Sequence, residues 1–120
     1  MKDPEERSKM ELSHEKIKGI VVVYLKGSLR IATTEEFYSQ VSSLLDDGEK
    51  NFVFHISSLD FIDSTGLGTL VRLTKRIKEK NGEIRLAEPQ THIKEMFELI
   101  RMDKVLPIDK TKEEALEAFE

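Results

Sequence analysis

NFVFHISSLDFIDSTGLGTLVRL, residues 51–73, changes character halfway along. From Asn51 to Leu59 it is a short apolar run without polar alternation, the pattern of a strand covered on both faces. The segment FIDSTGLG then turns the chain. From Leu67 the apolar set Leu67, Leu70, Val71, Thr74 and Ile77 recurs at helical spacing up to Asn81-Gly82. A buried strand running through an acid, two hydroxyls and two glycines into a helix is the unit of an α/β sheet.

Downstream the alternation continues. EIRLAE predicts a short strand, and Pro89 opens a helix whose buried face is Ile93, Met96, Phe97 and Ile100. VLPI predicts an edge strand, because Pro107 has no N–H to give to a ladder. Thr111 and Glu114 have the spacing of a capping box ahead of a terminal helix with Ala115, Leu116 and Phe119.

Upstream, Thr33 and Glu36 suggest another capping box, and Phe37, Val41, Leu44 and Leu45 form one helical stripe that stops at Gly48. Before that helix, MELSH and IKGIVVVYLKG predict a β-hairpin with a polar turn around Glu15 to Gly19. Residues 1–9 are polar and charged and contain Pro4, so a flexible tail is expected there, with one domain over residues 10–120. The expected order is β-β-α-β-α-β-α-β-α: an α/β fold with a mixed, largely parallel sheet and right-handed crossovers. Binding sites in such sheets gather beyond the carboxyl ends of the strands, where FIDSTGLG lies.

Composition narrows the function. The chain has 120 residues, 38% hydrophobic and 35% charged, with a net charge of -4, which gives direct nucleic-acid binding no global electrostatic support. No apolar run reaches the length of a membrane span, and the N-terminus lacks the apolar centre of a signal peptide. The absence of cysteine removes disulfides and thiolate metal sites. A cytoplasmic protein without metal or cofactor is expected.

At the corner, Ser64 falls at or beside the first turn of a helix, where backbone N–H groups lack partners and the dipole favours an anion. Gly66 and Gly68 leave that turn bare, at about 1 kcal/mol each in helix propensity, which suggests close approach or tight packing. The plain alternative is that Asp63 or Ser64 caps the helix and the glycines serve the turn. A phosphate-binding P-loop pattern is absent. A hydrolase triad of His55, Asp63 and Ser64 is disfavoured, since an acid directly before the serine cannot readily orient a histidine against it. His55 suits a core strand with a satisfied ring, His14 a turn and His92 a helix start. The cations Arg72, Lys75, Arg76, Lys78 and Lys80 suit a solvated helix face, with docking by Arg72 and Arg76 the less favoured reading.

The segment FIDSTGLGTLVRLTKRIKEKNGEIRLAEP, together with YLKGSL and IKEMFELIRMDKVLPI, resembles the bacterial anti-sigma factor antagonist family, which has a single-domain STAS fold. The resemblance implies that the chain is a binding switch, not an enzyme, and that Ser64 is phosphorylated by an anti-sigma factor serine kinase. Unphosphorylated antagonist would bind that kinase and release a sigma factor, and a phosphoserine phosphatase would reset it. Asp63, Ser64, Thr65, Gly66, Leu67, Gly68, Arg30 and Arg72 are the expected partner-binding residues. One departure stands out: Gly27-Ser28-Leu29 is followed by Arg30, where the family usually carries an acid. The alternatives are a STAS scaffold or sensor subunit in a lipid-transport or stress-signalling complex, and an enzyme.

Overall fold

The computed structural model describes residues 10–120, and the expected tail over residues 1–9 lies outside them. Strands β1 (Met10–Ile17) and β2 (Ile20–Leu29) pair antiparallel with Ile17 opposite Ile20. Their turn is only Lys18-Gly19, tighter than the expected span from Glu15. Both residues have positive φ, 52° and 82°, which matches the twist of a two-residue hairpin. His14, expected in a turn, therefore lies in β1.

After the hairpin come α1 (Thr34–Asp46), β3 (Asn51–Ile62), α2 (Ser64–Glu79), β4 (Glu83–Ala87), α3 (Thr91–Leu99), a 3-10 turn (Met102–Lys104), β5 (Ile108–Asp109) and α4 (Lys112–Glu117). The five strands lie in the order β1-β2-β3-β4-β5, and every pair after the hairpin is parallel. The mixed, mostly parallel α/β sheet is as expected.

The two sheet faces are covered unequally. Val21, Val23, Phe52, Phe54, Ile84 and Leu86 point to the main core, where they meet Phe37, Val41 and Leu45 of α1, Leu70, Leu73 and Ile77 of α2, and Ile93 and Phe97 of α3. The intervening residues Ile20, Val22, Val53 and Ala87 pack on the opposite face with Ala115 of α4. β3 is thus covered on both sides over residues 52–56, whereas Ser58, Asp60 and Phe61 nearer its end are exposed. Its apolar run lacks alternation because both faces are dry.

Several local expectations are corrected. Val71 is 43% exposed and the buried position beside it is Leu73, because helical rotation carries residue 71 to the side of the stripe and residue 73 into it. Ile100 is likewise exposed, just past the end of α3. α3 starts at Thr91, after Gln90, so Pro89 precedes the helix and does not open it. The last strand is Ile108–Asp109; Pro107 stands before it, and its carbonyl accepts from Leu86 N at 2.8 Å. β5 is an edge strand, as expected.

The Thr33–Glu36 capping box is not formed. The Thr33 hydroxyl instead accepts from Arg30 N at 3.0 Å and reaches the Ser28 carbonyl at 2.7 Å. Its hydrogen-bonding capacity goes to the preceding loop. At α4, by contrast, Thr111 Oγ1 accepts from Glu114 N at 3.0 Å, which is one half of the expected box.

Candidate functional site at the strand-to-helix corner

β3 outruns its neighbour. β4 pairs with it only as far as His55, whereas β2 accompanies it to its end, with Leu29 opposite Ile62. The corner at residues 61–68 therefore projects at the carboxyl ends of β2 and β3, bordered by the loop that enters α1.

Asp63 organises this corner. Its backbone is extended and it is the N-cap of α2, with Oδ1 accepting from Gly66 N at 2.8 Å. Oδ2 accepts from Ile31 N at 3.1 Å, in the loop before α1. A third link is Asp63 N donating to Leu29 O at 3.1 Å. One residue thus starts the helix and holds the Leu29–Ile31 segment against it. Of the two capping options left open by the sequence, Asp63 is the one realised.

Ser64 and Thr65 follow as the first two helical residues, and both side chains are exposed. The two glycines have different reasons. A Cβ on Gly66 would lie 2.5 Å from Leu29 O and 2.9 Å from side-chain atoms of Leu29 and Ile62, so Gly66 is required by close packing. A Cβ on Gly68 would meet nothing within 4 Å. Leu67 is half-buried against the core.

Arg30 is brought to the same corner by the Asp63–Ile31 bond, and its guanidinium lies 4.5 Å over the Phe61 ring. Arg72 stands farther along α2 and stacks on Tyr38 of α1 at 4.3 Å. Arg76 is tied to α1 through Ser42 Oγ at 2.7 Å and Asp46 Oδ1 at 3.4 Å, so it joins two helices and is not simply solvated.

Two residues at the corner escaped the sequence reading. Ile31 is 75% exposed and Phe61 45% exposed, and together they make the corner apolar as well as polar. The signal was present in Ile31, a bare branched apolar residue between Arg30 and Ala32 with no helical or strand period to claim it.

His55 lies apart from this chemistry. Its Nε2 is 3.1 Å from Glu88 Oε2, its Nδ1 is 3.3 Å from Ser57 Oγ, and its ring packs against Tyr24. The ring is satisfied, as expected, and its partners are not Asp63 or Ser64. His92, in the first turn of α3, contacts the Asp60 carbonyl at 2.7 Å. Among the described residues no helix is long and apolar enough to cross a membrane.

The comparisons with known proteins agree with this architecture. Residues 11–115 match the model of the STAS domain. BtrV of Bordetella bronchiseptica, provisionally named an anti-sigma factor antagonist, is 30% identical over 110 residues, covering 92% of this chain and 95% of BtrV. The anti-sigma F factor antagonist of Paenibacillus polymyxa is 24% identical over 112 residues, with coverage of 92% and 96%. The structure of the anti-sigma factor antagonist SpoIIAA in its unphosphorylated form superposes with a TM-score of 0.78 at 22% identity, covering 91% of this chain and 96% of that one. With this sheet order, this corner and these relatives, the chain belongs to the STAS domain family, in its anti-sigma factor antagonist branch.

Proposed function

We propose that the protein is a phosphorylation-controlled antagonist that binds an anti-sigma factor kinase when Ser64 is unmodified and thereby frees a sigma factor. The carrying observation is the corner itself: an exposed hydroxyl on the first residue of α2 at the same corner as exposed Ile31 and Phe61, with Asp63 tying the helix start to Ile31. The relatives named as antagonists support the role, and SpoIIAA has been solved in both a phosphorylated and an unphosphorylated form.

In this reading the partner kinase transfers the γ-phosphoryl group of ATP to Ser64 Oγ. The O–P bond forms, ADP leaves and the hydroxyl proton passes to the kinase. A phosphatase hydrolyses the ester and restores the docking surface. The docking face comprises Asp63 to Gly68 with Arg30, and extends along α2 to Arg72. The protein supplies no catalytic group of its own and works in the cytoplasm without a cofactor.

A pull-down of the tagged chain from its native cells, read by mass spectrometry for both partner and phosphosite, tests the proposal. The expected result is an anti-sigma-type kinase in the bound fraction and phosphate on Ser64. Ser64→Ala should abolish the modification and Thr65→Ala should leave most of it. Phosphate mainly on Thr65, or none at the corner with a transport or stress-signalling assembly bound instead, would reject the reading.

A further inference from the structure

We propose that Arg30 is the intramolecular counter-ion of a phosphate on Ser64, and that phosphorylation draws its guanidinium off Phe61. The inference rests on Ser64 being the acceptor, as proposed above, and adds the chain's own response to the modification.

The backbone of Arg30 is fixed while its side chain has unused capacity. Arg30 N donates to Thr33 Oγ1 at 3.0 Å, and Arg30 O accepts from Thr33 N at 2.8 Å and Thr34 N at 2.9 Å. The next residue, Ile31, is bonded to Asp63, the neighbour of Ser64. This loop cannot drift from the corner without breaking the Asp63 bond.

Arg30 Nε, in contrast, is the one buried side-chain donor without a hydrogen-bond partner among the described residues. Native proteins rarely leave such groups unpaired, and each instance calls for an account. The nearby acid does not supply a partner: Asp63 directs its two oxygens to the backbone N–H groups of Gly66 and Ile31, and among the described residues it forms no ion pair with Arg30. The guanidinium rests on an aromatic face at 4.5 Å, a weaker contact than a bidentate ion pair. The corner therefore holds a cation and a vacant donor that Asp63 does not engage.

A phosphoserine at position 64 would provide three acceptor oxygens and about two negative charges. A guanidinium fork suits such an acceptor better than a ring face. Moving to it satisfies Nε and uncovers Phe61, so modification changes both the charge and the apolar shape of the docking corner. A purely repulsive phosphate would change only the charge.

The test uses the full chain with phosphoserine encoded genetically at position 64, so no kinase is required. The second ionisation of the phosphate is followed by phosphorus NMR in the otherwise wild-type chain, Arg30→Gln and Arg30→Lys, after thermal melts establish that each is folded. A guanidinium partner holds the dianion, so the wild-type value should fall about one unit below that of Arg30→Gln, with Arg30→Lys between them. The Arg30 Nε–H resonance should also move on phosphorylation. Superimposed titrations with an unmoved Arg30 resonance would overturn the proposal. A kinase that ignores Ser64 in the unmodified chain would reject the acceptor reading separately, leaving the titration result intact.

Discussion

Asp63 Oδ2 accepts the backbone N–H of Ile31 at 3.1 Å across 32 positions of sequence. Through this bond the start of α2 and the loop entering α1 form one unit, so a change at either side is felt at the other.

Substitutions at Asp63 should separate its two duties. Asp63→Ala removes both the cap and the tether and should cost about 2 kcal/mol. Asp63→Asn retains a good cap acceptor for Gly66 N but turns an N–H donor toward Ile31 N. Hydrogen exchange should then quicken at Ile31 and stay slow at Gly66, whereas Asp63→Ala should release both amides. Equal protection of Ile31 in all three proteins would show that the tether contributes nothing.

The two glycines should respond to alanine in opposite directions. At Gly66 the added methyl meets the Leu29 carbonyl at 2.5 Å, which is backbone and cannot swing aside. The clash outweighs the helix gain, and Gly66→Ala should destabilise by about 1–3 kcal/mol. At Gly68 the space is open, so Gly68→Ala should stabilise by up to about 1 kcal/mol. Urea denaturation of both variants checks the pair. Destabilisation by Gly68→Ala would mean that the open side of the turn is not open in solution.

These contrasts mark what was readable from sequence. The strand-to-helix corner was legible because a dry run ending in hydroxyls and glycines has few other uses. Spacing alone failed where one residue type can serve two ends. Thr33 stands three residues before Glu36, as a capping box requires, yet its hydroxyl is engaged by Arg30 N and Ser28 O. Val71 fits an i, i+4 step from Leu67 but lies off the centre of the buried stripe, which runs through Leu70, Leu73 and Ile77. The site's assembly was illegible for a different reason. The Asp63–Ile31 bond and the Leu29 carbonyl against Gly66 join residues from two crossovers, and local pattern carries no record of that contact.

Acid should weaken the protein partly through Glu88. This residue has positive φ, 59°, an unusual conformation for a side chain with a Cβ. Its carboxylate accepts from Lys112 N at 2.9 Å at the start of α4 and lies beside His55. The Lys112 N–H bond is the main reason its pKa is lowered from the ordinary glutamate value; burial opposes this, and His55 adds to it. A depressed folded-state pKa means that the stabilisation is complete above the unfolded value. It is lost as pH falls through the folded one. Wild type should therefore exceed Glu88→Gln in urea midpoint at pH 7, with the gap persisting down to about pH 4.3 and closing below it. A gap that persists unchanged below about pH 3 would remove the ionised carboxylate from the explanation.

The switch itself makes the strongest demand. Phosphorylated at Ser64, the protein should keep its fold, because an anion at the start of α2 is favoured by about 0.3–1 kcal/mol. Partner binding should still collapse. The phosphate outweighs one neighbouring arginine in charge, stands beside Asp63, and must lose water against the anti-sigma factor. A buried charge left uncompensated commonly costs several kcal/mol, and each 1.4 kcal/mol is about tenfold in affinity. The expected loss is at least about a hundredfold, with circular dichroism nearly unchanged. Calorimetry on stoichiometrically phosphorylated protein measures it directly. Equal affinity of the two forms would refute the switch and favour a scaffold role. Lost binding with lost helical signal would keep the switch but replace this local mechanism by unfolding of α2.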